Sequence, residues 1–61
     1  MNILITGING FVGSNFTKDW NKKHTLYGVD INQTPKTGVE KIFTWKQLSK
    51  IPPVDVIVHL A

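Results

Sequence analysis

No cysteine and no arginine occur among the 61 residues. Without cysteine the chain has no disulfide staple and no thiolate metal site. Its two histidines, His24 and His59, stand far apart and offer no metal-ligand spacing. Without arginine it lacks the side chain best suited to base edges and phosphates. The seven lysines, which bring the net charge to +3, are scattered rather than gathered into the basic stripe of a nucleic-acid binder. They read as a solvated surface. Long apolar runs are also missing: none approaches the ~20 residues of a membrane span. Met1 leads straight into a strand-like run with no basic n-region, so no secretory leader is expected. The expectation is a soluble, cytoplasmic protein that binds neither nucleic acid nor membrane.

What the sequence does contain must fit a small body. A chain of about 60 residues buries only about 60% of the surface its unfolded form exposes, so by itself it is marginally stable. Support has to come from a ligand, a partner or further chain. The last segment, VDVIVHLA, is an apolar strand-like run that reaches Ala61 with no capping element after it. The reading is therefore of the first part of something longer.

Hydrophobic periodicity orders the segments. Asn2 to Thr6 (NILIT) is a nearly continuous aliphatic run, the pattern of a strand buried on both faces in a parallel sheet. From Phe11 to about Asn21, Val12, Phe16 and Trp20 recur every four positions, which predicts a helix with those three residues on its buried face. His24 to Asp30 (HTLYGVD) reads as a second strand and Ile31 to Gly38 (INQTPKTG) as a loop. Val39 to Trp45 (VEKIFTW) alternates as a third strand. Lys46 to Ile51 allows one or two helical turns, stopped by Pro52-Pro53. Val54 to Ala61 is the fourth strand. Strands separated by helical segments predict an α/β fold with a parallel sheet.

Between the first strand and the helix lies TGINGFVG, Thr6 to Gly13, with three of the five glycines at spacing G-x-x-G-x-x-G. Each glycine weakens a helix by about 1 kcal/mol relative to alanine, so something needs the missing side chains. A strand that turns into a helix N-terminus presents backbone N–H groups at the positive end of the helix dipole, which suits an anion. In that setting Gly7 allows the tight turn. Gly10 lets a pyrophosphate approach the backbone, and Gly13 allows close packing of helix on strand. The competing explanation is a purely structural glycine turn. Against it stands Asp30, which closes the second strand twenty residues after Gly10, near the ~20 expected of a carboxylate that binds a ribose. A Walker-type loop needs Gly-Lys-Ser/Thr, whereas Gly13 is followed by Ser14 and Asn15. A carboxylate suits a free 2′-hydroxyl and repels a 2′-phosphate, and Lys36 is the only cation in the following loop. NAD is thus expected over NADP, although a merely solvated Asp30 would leave that choice open.

TGINGFVG, then VDIN at Val29–Asn32, then DVIVHLA at Asp55–Ala61 together resemble the extended short-chain dehydrogenase/reductase family, and within it the NAD-dependent epimerase/dehydratase group acting on nucleotide sugars. The likeness runs through nearly the whole chain but spans only the N-terminal part of such an enzyme. It implies a Rossmann-type sheet of order 3-2-1-4, with the cofactor cleft opening between strands one and four. Backbone amides around Phe11 and Val12, within the turn of Gly7, Gly10 and Gly13, would lie near the pyrophosphate. Asp30 would bind the adenosine ribose, Ile31 and Asn32 would lie beside the adenosine, and Leu60 and Ala61 would line the cleft. It further implies a substrate domain beyond residue 61 and a homodimer when complete. Chemistry would proceed by transient oxidation of a sugar hydroxyl, using a Tyr-x-x-x-Lys pair and a Ser or Thr. No catalytic residue is assigned within this chain, because the single tyrosine, Tyr27, has Ile31 four positions later.

Two departures from the family pattern stand out. The loop of eight residues from Ile31 to Gly38 is short for a parallel crossover, which usually takes a dozen or more. The helix expected there is lost, or the third strand is irregular. Phe43-Thr44-Trp45 also stands where the family often has Gly-Asp, which leaves no adenine contact assigned on that side.

Other residues invite chemistry without supporting it. Tyr27 reads as core, His59 as a hydrogen-bonded residue of a buried strand rather than a base, and Trp20 and Trp45 as packing residues. Asp55 reads as the entry of the last strand. Ser14 has no activating partner in sequence. An alternative function is a non-catalytic dinucleotide-sensing module of the same fold, told from an enzyme by loss of Tyr-x-x-x-Lys downstream. A small free-standing binding domain is a third, disfavoured by its open sheet edges. The intact mass of the purified natural protein checks the expected further chain: it should be several times 6.9 kDa.

Overall fold

The computed structural model describes residues 1–60. The elements run β1 (Asn2–Thr6), α1 (Phe11–Trp20), β2 (Thr25–Val29), β3 (Val39–Phe43), a 3₁₀ segment (Trp45–Lys50) and β4 (Val56–His59). The four strands form one sheet of order β3-β2-β1-β4, and every neighbouring pair is parallel. This is the strand order expected from the sequence and the N-terminal part of a Rossmann-like α/β fold.

β1 is central, and its side chains alternate between two apolar clusters. On the face covered by α1, Ile3, Ile5, Ile8, Leu26 and Ile42 form the core, with Phe16, Val39, Val58 and Leu60 packed against them. On the opposite face Leu4, Val29 and Phe43 are buried beneath Tyr27, Ile51 and Val54. Burial on both faces explains why NILIT is almost uninterruptedly aliphatic. Full burial of each such side chain contributes about 1.5–3 kcal/mol.

The helix meets the sheet differently from its apolar periodicity. Gly13 and Thr17 are its buried residues; Phe16 is half-buried, while Val12 and Trp20 are exposed. The expected face of Val12, Phe16 and Trp20 is thus rotated onto Gly13, Phe16 and Thr17. Gly13 lies hard against the backbone of the preceding turn, and the Thr17 hydroxyl is buried without penalty because it donates to the Gly13 carbonyl at 2.9 Å. Trp20 instead stacks on Phe16 with centroids 5.0 Å apart and lies 4.9 Å from the His24 ring. It covers the end of the helix rather than the core. Trp45 is likewise largely exposed. Tyr27 is half-buried, its ring 6.4 Å from that of Phe43.

Two further expectations are corrected, on the extent of the third strand and on the burial of His59. The third strand ends at Phe43, and Trp45 opens a 3₁₀ segment capped by reciprocal bonds between Thr44 and Gln47. Two prolines follow at Pro52-Pro53 and deny an α-helix room to propagate. Finally, β4 is an outer strand of this sheet and His59 is exposed rather than buried.

The short β2–β3 connection contains no helix. An extended residue reaches ~3.3–3.6 Å, so the nine residues from Asp30 to Gly38 are long enough to run back along a five-residue strand. The chain enters β3 through an irregularity: Leu26 pairs with Val39 but Tyr27 pairs with Lys41, which leaves Glu40 as an extra residue. Both features foreseen as alternatives, loss of the helix and an irregular third strand, are present. The loop covers the flank of α1 and leaves a cavity of about 420 Å³ bounded by Ser14 and Thr17 on the helix, Asn21 just after it and Lys36 on the loop.

The strand positions make a direct prediction. Ile5 is fully buried in β1, so Ile5→Ala is expected to destabilise the protein by about 2–4 kcal/mol through lost transfer energy and a residual cavity. Urea denaturation followed by circular dichroism measures this; a loss under about 1 kcal/mol would contradict the packing described.

Candidate functional site

The turn from β1 into α1 begins with Gly7, whose φ of +69° lies in the left-handed region that other residues enter at a cost. Its N–H donates to the Val29 carbonyl at 2.8 Å, and its carbonyl accepts from the Gly10 N–H at 3.0 Å. Gly10 is the N-cap residue, with ordinary extended φ and ψ. It supplies no side-chain cap, and the first turn carries no acidic residue. The N–H groups of Phe11, Val12 and Gly13 have no acceptor within the helix and remain available to an external anion at the positive end of the dipole. Phe11 is 86% exposed, so the helix entrance is open to solvent.

Ile8 holds this turn in place. Its side chain is fully buried. A Cβ on Gly28 would lie 2.6 Å from Ile8 Cγ2, and one on Gly13 would lie 2.4 Å from the Ile8 carbonyl oxygen. The turn is therefore clamped between a side-chain-free position in β2 and another in α1. Gly13 serves the contact of the helix with its own turn, rather than only the contact of helix with strand.

Asp30 follows β2, and its carboxylate is oriented from two sides. Oδ2 accepts from the Asn9 N–H at 2.9 Å and Oδ1 from the Asn32 N–H at 2.9 Å. Each oxygen keeps further acceptor capacity. The backbone of Asp30 is itself anchored by donation to the Phe43 carbonyl at 3.1 Å. The Asn9 side chain donates to the carbonyls of Asn32, at 2.7 Å, and Thr34, at 3.1 Å. Ile31 is 88% exposed beside it. Farther along the loop, Lys36 Nζ donates to Ser14 Oγ at 2.9 Å, so the loop's single cation is turned onto α1.

At the other side of β1, Thr6 bonds the end of β4. Thr6 Oγ1 lies 2.7 Å from His59 Nδ1 and accepts from the Leu60 N–H at 3.1 Å. Leu60 is half-buried and packs on the cluster beneath α1; Ala61 lies outside the described residues. Asp55 stands at the other end of β4, where its Oδ2 accepts from the Asn2 N–H at 2.8 Å.

The sequence-predicted residues Gly7, Gly10, Phe11, Val12, Gly13, Asp30, Ile31, Asn32 and Leu60 therefore gather at the carboxyl edge of one parallel sheet. The glycine turn sits between the β2 end and the β4 end. In open α/β sheets this edge, where strand order reverses between β1 and β4, is where ligands bind. Ile8, Asn9 and Gly28 were missed. A glycine in mid-strand signals close approach of another group, and an isoleucine inside an otherwise polar turn signals an anchor. For Asn9 the partners lie more than twenty residues away, and no local pattern reveals them. Among the described residues no group of three or more His, Cys, Asp or Glu could hold a metal, and no helix is long and apolar enough to cross a membrane.

Against known proteins, the model of the NAD dependent epimerase/dehydratase family matches residues 3–61. No curated protein and no solved structure matches the chain.

The clamp yields a second prediction. Gly13→Ala is expected to cost at least about 3 kcal/mol, because its methyl meets immobile backbone rather than a yielding side chain. Gly28→Ala should cost about 1–3 kcal/mol, and less when combined with Ile8→Ala, since the two positions share one space. Equilibrium unfolding of the singles and the double checks both; strict additivity of Gly28→Ala and Ile8→Ala would refute the clamp.

Proposed function

The chain belongs to the NAD dependent epimerase/dehydratase family, and on that basis we propose that it forms the NAD-binding part of a nucleotide-sugar epimerase or dehydratase. The observation that carries the reading is the pairing of an uncapped helix entrance with a carboxylate held against the same turn by the Asn9 N–H. One recognises phosphate and the other a ribose diol, the two chemistries of a dinucleotide.

In this reading the N–H groups of Phe11, Val12 and Gly13 receive the pyrophosphate, and Gly7 and Gly10 keep the approach clear. Asp30 accepts from the adenosine ribose. The exposed Ile31 and the neighbouring Asn32 flank the adenosine, while Leu60 lines the cleft. The nicotinamide ring, when bound, takes up and returns a hydride. The acid–base groups for that step, and the sugar-binding surface, belong to chain beyond residue 61, whose complete form would be a homodimer.

NAD is favoured over NADP on electrostatic grounds. A 2′-phosphate would meet the Asp30 carboxylate, and Lys36, which could otherwise offset it, is engaged with Ser14. Isothermal titration of the protein with each dinucleotide should give tighter binding of NAD by about tenfold or more, and tighter NADP binding would overturn the assignment. Asp30→Ala should weaken NAD by roughly ten- to a hundredfold, the range for a hydrogen bond to a charged group.

A further inference from the structure

The hydrogen bonds around Asn9 close a ring. From the glycine turn, the Asn9 N–H reaches Asp30 Oδ2 at 2.9 Å. From the loop, the Asn32 N–H reaches Asp30 Oδ1 at 2.9 Å. The Asn9 carboxamide then returns to the loop, donating to the Asn32 and Thr34 carbonyls at 2.7 and 3.1 Å. Asn32 Oδ1 in turn accepts from the Thr34 N–H at 3.0 Å and from Thr34 Oγ1 at 2.6 Å. Turn, carboxylate and loop are thereby fixed relative to one another.

We propose that Asn9 is a positioning residue that sets the discrimination between a 2′-hydroxyl and a 2′-phosphate at Asp30. The inference rests on the reading above that Asp30 receives the adenosine ribose. Its physical basis is the shortage of other restraints. The loop has no helix to satisfy its backbone, and among the described residues the only other side-chain bonds from Ile31–Pro35 to another part of the chain are the long ones from Gln33 Nε2 to the Ile42 carbonyl and Gln47 Oε1, both at 3.5 Å. A carboxamide is the fitting group at this position: it offers two donors, and both are taken by carbonyls. An aspartate of the same size would place acceptors against those acceptors. With the loop held, the Asp30 carboxylate cannot swing aside, so an incoming phosphate meets a fixed negative charge. Without the Asn9 carboxamide, the Asn32 N–H loses its fixed place, and the carboxylate, then held only by the Asn9 N–H, can turn about that one bond. NAD then loses an oriented acceptor while NADP escapes part of its repulsion.

The test is calorimetric titration of the protein with NAD and with NADP, for wild type, Asn9→Ala, Asp30→Ala and the double variant, with melting temperatures recorded alongside. Asn9→Ala leaves the backbone N–H bond to Asp30 intact and removes only the two amide bonds. It should weaken NAD about five- to tenfold and change NADP about twofold or less, in line with the loss of one or two neutral hydrogen bonds. The NAD/NADP affinity ratio should therefore fall, by between about 2.5-fold and about twentyfold, a readout that general destabilisation would not move. In the Asp30→Ala background the Asn9 substitution should leave the ratio unchanged. Asn9→Asp, which keeps the size and reverses the hydrogen bonding, should lower NAD affinity further. Equal losses for both dinucleotides in Asn9→Ala, or an undiminished effect of Asn9 in the Asp30→Ala background, would overturn the positioning role while leaving Asp30 as the ribose acceptor. An Asp30→Ala variant that binds NAD like wild type would instead overturn the underlying reading, and the inference with it.

Discussion

Insertion of Ile8 between two glycines is the constraint on which the remainder of the site depends. A helix N-terminus binds an anion only if its first-turn N–H groups are held in place, and here the turn that holds them has one apolar side chain to grip the body of the protein. Ile8 is fully buried, and both surfaces against it lack a Cβ. Packing this tight transmits small volume changes directly. The result is a polar, glycine-rich turn that is anchored in the core by a single buried side chain.

Around that anchor, the parallel sheet brings the functional groups together without any of them being close in sequence. Parallel pairing sends all four carboxyl ends to one edge. β1 sits between β2 and β4, so its trailing turn is flanked by Asp30 on one side and by the end of β4 on the other. Thr6 links to His59 and Leu60, and Gly7 links to Val29. The three strand ends are thus tied through Thr6, the last residue of β1, and Gly7, which follows it. His59, open to solvent and bonded to Thr6, serves this alignment.

The loss of the second crossover helix shifts work onto side chains. A helix would satisfy its own backbone and cover the sheet. The eight-residue loop Ile31–Gly38 does neither, and its carbonyls are taken by Asn9 while Lys36 ties it to Ser14. Economy of chain length is exchanged for dependence on individual polar contacts, and those contacts fall beside the Asp30 carboxylate.

The strands, the glycine turn and the placing of Asp30 at a strand end were legible in the residues, because each follows from local pattern: aliphatic runs, glycine spacing and a carboxylate closing a strand. The strand order came only from the family resemblance. The face of α1 was not legible. Apolar periodicity selects Val12 and Trp20, but close approach to the turn favours the smaller Gly13 and Thr17, and steric fit outranks hydrophobicity at that contact. The role of Asn9 was equally hidden, since a single asparagine carries no signal until folding brings Asn32 and Thr34 within reach of its amide. Periodicity and glycine spacing alone decided which elements form, since both act between near neighbours in the chain. Which helix residues are buried, what anchors the turn and what steadies the carboxylate were decided by the tertiary structure, because those outcomes depend on contacts between segments that only folding makes adjacent.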